Sequence, residues 1–119
     1  MPDEPTVDDD KEHIFLYLTT TGHKSGKPHQ IEIWYVEYDG RCYIVAEFGD
    51  KAHWVRNLRR SPAVTFRVGR SDDGGQEQPG LGRVVDREAE PALAAAVSAL
   101  MDAKYGWSDG LIVELAPSA

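Results

Sequence analysis

Short runs of β-branched and aromatic residues, punctuated by Gly, Pro and Asp, set the rhythm of this chain, and helical periodicity surfaces in only two places. Residues 14–20 (IFLYLTT) have the composition of a buried strand. A loop over residues 21–28 (TGHKSGKP) follows, broken by Gly22, Gly26 and Pro28 and carrying Lys24 and Lys27. Residues 29–38 (HQIEIWYVEY) alternate, with Ile31, Ile33 and Tyr35 on one face and Glu32, Trp34 and Val36 on the other, which predicts one long strand. Asp39-Gly40 then signals a two-residue hairpin, because a type I′ turn needs positive φ at both positions. Arg41–Ala46 (RCYIVA) is the returning strand.

Residues 51–60 (KAHWVRNLRR) read as a short helix with Asp50 as its N-cap. Trp54, Val55 and Leu58 form its apolar stripe, Arg56, Arg59 and Arg60 favour its C-terminal end, and Ser61-Pro62 stops it. Strands are expected at 63–68 and 81–85, around a polar, Gly-rich loop at 70–80. The second helix is predicted over Pro91–Tyr105, with Pro91 in its first turn, Glu88 and Glu90 near its positive end and Gly106 just past its stop. Leu93, Val97, Leu100, Met101 and Tyr105 make its apolar face, and residues 110–115 are expected as the last strand. Strands outnumber helices and no strand–helix–strand repeat runs through the chain. The expected fold is therefore mainly β (α+β), an antiparallel barrel of about six strands with two helices.

Length and charge sharpen this. The 119 residues suit one domain, taken as 13–119 behind an acidic, flexible lead at 1–12. The net charge of −7 divides unevenly: −5 over residues 1–12, +4 over 13–70 and −6 over 71–119. The acidic total argues against nucleic acid, which needs many phosphate contacts, while the basic middle suits one small anionic ligand. No run approaches the roughly 20 apolar residues of a membrane span. The opening MPDEPTVDDDKE lacks the basic start and apolar run of a secretory signal, and Cys42 is the one cysteine, so the cytoplasm is expected.

Few residues invite chemistry. His13, His23, His29 and His53 have no metal-ligand spacing, so no metal is expected. Cys42 sits in a hydrophobic strand without an evident base, and the glycines between Gly74 and Gly82 do not open a helix as a dinucleotide fingerprint would. Two features remain. In the loop TGHKSGKP, Lys24, Ser25 and backbone N–H groups suit a phosphate, although a solvated loop reads the same way. Around Asp50, the residues Trp34, Tyr35, Phe48, Lys51, Trp54, Arg56 and Asn57 suit a flat anionic cofactor, although either tryptophan alone reads equally as core or interface.

The segments LTTTGHKSGKPHQIEIWYVEYDGRCYIVA and AHWVRNLRRSPAVTFRVG, together covering roughly residues 18–69, resemble the deazaflavin-dependent nitroreductase and quinone-reductase family. A strand, a TG-K-SG-P loop, a hairpin and a W-x-x-N-L helix recur in that order, and MDAKYGWSDG resembles the C-terminal part of one branch. The resemblance implies a split β-barrel related to pyridoxamine-phosphate oxidases. It also implies a homodimer with its site between subunits, and an oxidoreductase that passes a hydride from coenzyme F(420), an 8-hydroxy-5-deazaflavin, to a quinone, nitro compound or other small unsaturated acceptor.

By the same resemblance His23, Lys24 and Ser25 would meet the cofactor phosphate, and His29 to Ile33, including Ile31, would flank the ribityl chain. Ala46, Glu47, Phe48 and Gly49 would lie along the ring, with Lys51 beside them, and Trp54 and Asn57 would close the pocket. Tyr105 matches the family's substrate-side tyrosine and would supply a proton. The loop EFGDKAH is shorter than the family's usual one and carries Glu47 and Asp50, which leaves FMN, or ligand binding without turnover, as alternatives.

Overall fold

In the computed structural model, described over residues 14–70 and 76–118, seven antiparallel strands form one sheet in the order β2-β1-β5-β6-β7-β4-β3. The strands are β1 (Phe15–Thr21), β2 (Pro28–Ile33), β3 (Val36–Tyr38), β4 (Arg41–Ala46), β5 (Ala63–Gly69), β6 (Gln78–Val84) and β7 (Leu111–Pro117). Helix α1 (His53–Arg60) lies between β4 and β5, and α2 (Pro91–Tyr105) between β6 and β7. β2 and β3 are the two edges of the sheet, yet only Trp34 and Tyr35 separate them in sequence. Two residues reach about 7 Å, so the sheet must curl until its edges nearly meet. The result is a curled half-barrel with a split where Trp34 and Tyr35 pass.

Alternation along the strands sorts the side chains into two cores. Leu16 and Leu18 of β1, Ile44 of β4, Phe66 of β5 and Val113 and Leu115 of β7 fill the inside of the curl. Leu58 of α1 and Tyr35 join them. Tyr43 and Val45 of β4 and Ile112 of β7 face outward, where α2 covers them with Ala94, Val97 and Met101. This two-sided burial explains why β4 reads as an unbroken apolar run, Cys42 to Ala46. Glu114 shares the outward face of β7 and is buried to 5% exposure. There it accepts from the Tyr43 hydroxyl at 2.7 Å and from Arg83 at 2.9 and 3.3 Å.

The hairpin turn forms as its sequence requires, with φ of 54° at Asp39 and 77° at Gly40. Four expectations need correction. The long strand at 29–38 breaks into β2 and β3, which raises the strand count to seven; the alternation persists, but pairing passes from β1 to β4 across the break. Asp50 does not cap α1, whose N-cap is Ala52 with no side-chain bond. Asp50 instead lies in a 3-10 turn, Gly49–Lys51, and binds Arg59 at 2.6 Å. β6 starts at Gln78 rather than at 81, because its pairing with β5 holds residues the composition marked as loop. Leu100 is 37% exposed, since the sheet meets the face bearing Val97 and Met101. Glu90 stands at the helix start as expected and also accepts from Arg83, at 2.7 and 3.0 Å. The acidic lead at 1–12 and His13 lie outside the described residues.

Candidate functional site

The loop after β1 is tied to α1 by one buried side chain. Asn57 donates to the Thr20 hydroxyl at 3.1 Å, while its Oδ1 accepts the His23 backbone N–H at 2.9 Å and stands 2.7 Å from His23 Nδ1. An amide oxygen only accepts, so this bond places the His23 proton on Nδ1 and turns Nε2 away. Within the loop, Gly22 N–H bonds Lys27 O and Gly26 N–H bonds Gly22 O. The Ser25 hydroxyl accepts the Lys27 N–H at 3.2 Å. A Cβ at Gly22 would stand 2.7 Å from Ser25 Oγ and 2.8 Å from His29 Nε2, so any other residue there would displace those two side chains. The N–H groups of Lys24 and Ser25 take no part in these bonds.

A cavity of about 360 Å³ opens beside this loop, lined by His23, Lys24, Ser25, His29, Ile31, Trp54 and Asn57 together with Gly22, Gln30 and His53. The rings of His23 and His53 stack with centroids 6.2 Å apart. Among the described residues no carboxylate lines it. A second cavity of about 530 Å³ lies in the split of the barrel, lined by Ile33, Ala46, Glu47, Phe48, Trp54 and Tyr105, with Phe15, Glu32, Trp34, Val45, Ala52 and Trp107. Of the twelve described residues that line it, six are aromatic and none is Lys or Arg. Trp54 lines both cavities, and Ile31 and Ile33, two apart on β2, line one each. The two cavities are thus neighbouring stretches of one groove along the β2 edge, cationic at the loop and aromatic in the split.

At the aromatic end Trp34 stacks on Tyr105, centroids 4.3 Å apart and planes 2° from parallel. The Tyr105 hydroxyl is occupied, accepting the Tyr35 N–H and donating to the Tyr35 carbonyl. Burial raises the Tyr105 pKa against the lowering by that backbone bond. Lys104 also donates to Tyr35 O, at 3.0 Å, with its ammonium 3.9 Å from the Tyr35 ring centroid. Cys42 is buried, and burial, then the charge of Glu37, pushes its thiol up to about 11, which makes it a poor nucleophile. Among the described residues no group of His, Cys, Asp and Glu could hold a metal ion.

Of the residues singled out from sequence, Tyr35, Gly49, Lys51 and Arg56 line neither cavity; Gly49 and Lys51 lie in the turn that follows Phe48. Sequence reasoning passed over Phe15, Val45, Ala52, His53 and Trp107 as site residues. His53 had a signal, one residue before Trp54 at the start of α1, and Trp107 another, in the motif that also holds Tyr105.

A half-barrel whose split holds an aromatic cavity next to a cationic, glycine-bounded loop has the build of a split barrel, and the likeness to known proteins agrees. The family model for F(420)H(2)-dependent quinone reductase matches residues 9–105. The chain belongs to that family. An F(420)H(2)-dependent reductase is 26% identical with a TM-score of 0.54, covering 85% of this chain and 92% of its own. HutZ, the heme storage protein of Vibrio cholerae, superposes with a TM-score of 0.71 at 20% identity, covering 100% of this chain and 92% of its own. A candidate pyridoxamine 5′-phosphate oxidase of Listeria innocua gives 0.66 at 15% identity, with 98% and 93% covered. No curated protein matches the chain. Among the described residues no helix is long and apolar enough to cross a membrane.

Proposed function

We propose that this protein binds coenzyme F(420) along the β2 groove and uses its reduced form to convert a quinone to a hydroquinone. The observation that carries this reading is the division of the groove: Lys24 and unengaged loop N–H groups at one end, six aromatic rings at the other. A molecule with a phosphate at one end and a flat ring at the other fits that division. His23, Lys24 and Ser25 would hold the phosphate, and His29, Ile31 and Ile33 the linking chain. Ala46 to Phe48 would lie along the ring and Trp54 would close over it. When bound and reduced, the deazaflavin supplies a hydride; one hydride and one proton together take a quinone to its hydroquinone.

Among the described residues the groove holds no activated nucleophile and no acid–base pair, so the part of the chain is to bind, orient and exclude water. Trp34, Tyr105 and Trp107 would form the wall beside the acceptor. Tyr105 acts there through its ring, and the proton comes from its hydroxyl only if that hydroxyl leaves Tyr35 O. The same reading includes a homodimer: β2 has β1 on one side and an open ladder on the other, with Trp34 and Phe48 exposed beside it. A monomer by light scattering at micromolar concentration would remove that part.

The reading is tested by titrating the protein with F(420) and with FMN, then following oxidation of the reduced deazaflavin by a naphthoquinone. Tight F(420) binding with quinone-dependent turnover is expected. Binding of FMN alone, or of F(420) without turnover, would replace the reductase with one of its alternatives.

A further inference from the structure

We propose that the aromatic end of the groove selects neutral acceptors over anionic ones, and that Glu47 and Glu32 set this preference. The inference rests on the reading of that cavity as the place where an acceptor binds. Among the described residues its lining includes two carboxylates and no Lys or Arg. Glu47 is exposed on the turn after β4 and makes no hydrogen bond among the described residues. Glu32 accepts the Tyr17 hydroxyl at 2.6 Å, a bond that orients a carboxylate without neutralising it.

Lys51, in the turn after Phe48, lines neither stretch of the groove, and the other cations of this region are engaged elsewhere or lie at its far end. Arg59 binds the Asp50 carboxylate and Arg56 the Asp50 carbonyl. Lys104 is held on Tyr35 O and lines a different cavity. Arg67 lies over the Tyr17 ring, 4.1 Å from its centroid, and lines neither stretch of the groove. Lys24 sits at the opposite end, beside the loop. Meanwhile Phe48 is 69% and Trp34 41% exposed, so the rim an acceptor meets is apolar. A flat uncharged molecule is desolvated there without penalty, whereas a sulfonate or carboxylate faces two like charges and no partner. Two unit charges ~7 Å apart in a half-exposed site discriminate by about 3- to 10-fold for each carboxylate. The effect is electrostatic and shrinks as salt shortens the screening length to about 8 Å near physiological ionic strength.

The probes are naphthoquinone and naphthoquinone sulfonate, which share one ring system and differ by a charge. With the F(420)-loaded full chain, the ratio of kcat/KM for the neutral over the sulfonated quinone is measured at low and high salt. Glu47→Gln should lower that ratio about 3- to 10-fold at low salt, Glu32→Gln should lower it in the same direction, and both differences should fade at high salt. The gene product also carries its own binding probe, because all three tryptophans, Trp34, Trp54 and Trp107, line this cavity. Quenching of their fluorescence gives the Kd of each quinone without turnover, and the same narrowing in Glu47→Gln is expected. Turnover with ratios unchanged in both variants would overturn the charge selection and leave the reductase. Charge-dependent quenching without turnover would overturn the reductase and leave the selection. Neither turnover nor charge-dependent quenching would overturn both.

Discussion

The hydroxyl of Tyr105 holds both backbone polar groups of Tyr35, accepting from the N–H at 3.1 Å and donating to the carbonyl at 3.0 Å. Tyr35 stands where the chain leaves β2 and crosses the split to β3, so neither neighbouring ladder can satisfy it. A phenol from the last turn of α2 does so instead, and its ring carries Trp34 stacked on it. One side chain therefore closes the barrel and builds a wall of the aromatic cavity.

Tyr105→Phe should consequently cost stability before it costs chemistry. It keeps the ring on Trp34 but leaves a half-buried N–H and carbonyl short of a partner, a loss of about 1–3 kcal/mol. Urea unfolding measures this. Lys104 still reaches Tyr35 O, which places the loss at the lower part of that range. If the variant is as stable as the parent but loses quinone reduction with its solvent isotope effect altered, Tyr105 is a proton donor and not the clamp argued above.

The break at Tyr35 also shows where sequence reading ends. Alternation over 29–38 assigned faces correctly, since Ile31, Ile33 and Tyr35 pack on the inner core and Val36 on the outer one. It could not show that strand partners change midway, because side-chain period is indifferent to which ladder a residue joins. The hairpin at Asp39-Gly40 was legible for the opposite reason: positive φ at two successive positions is a local demand, met by local residue types. Asp50 misled because its carboxylate found Arg59, nine residues on, a contact with no signature in spacing. The site was legible in part. The loop of Lys24 and the turn around Phe48 stand out by composition, whereas Phe15 and Trp107 reach the same cavity from opposite ends of the chain.

Asn57→Ala should be the most disruptive single change near the groove. It removes the acceptor of the His23 N–H and the donor to Thr20 at 4% exposure, for a loss of about 1–3 kcal/mol by denaturant titration. The His23 loop should loosen with it, so F(420) binding should weaken beyond what the stability change alone accounts for. Unchanged affinity would mean that the loop does not hold the cofactor.

Stability should form a plateau bounded on both sides by named groups. Burial pushes the Glu114 carboxyl up, but bonds from Arg83 and Tyr43 and the charges of Arg83 and Arg41 outweigh it and leave the group below the usual carboxylate range. Its contribution is present above the unfolded value, about 4.3, and is lost as pH falls through the lower folded value. On the alkaline side burial, then Glu37, pushes Tyr35 up to about 12, and burial, then the bond to Glu114, pushes Tyr43 up to about 12. Those contributions are complete below pH 10 and lost between about 10 and 12. The Cys42 thiol, pushed up to about 11 by burial, then Glu37, starts the alkaline loss earlier, from its unfolded value of about 8.5. Urea midpoints should therefore be flat from about pH 5 to 8 and fall beyond each end. Glu114→Gln should lower the plateau and flatten its acid shoulder; an acid shoulder as steep as the parent's would place its origin in other carboxylates.

Lys24→Ala separates binding from folding most cleanly. Lys24 is exposed in a loop whose shape is fixed by bonds of Gly22, His23, Ser25, Gly26 and Lys27, none of which uses the lysine side chain. Its removal should leave urea stability within about 0.5 kcal/mol of the parent. If the ammonium holds a phosphate, the lost charge-assisted bond is worth about 1.5–3 kcal/mol, an approximately 10- to 100-fold rise in Kd. Lys24→Arg should recover part of the affinity, because the positive charge remains although the donor geometry changes. A solvated lysine with no ligand role would be silent in both assays. Fluorescence titration of parent, Ala and Arg forms with F(420) and FMN decides between these outcomes, and equal affinities across all three would remove the phosphate from this loop while leaving the aromatic end of the groove to be tested by its tryptophans.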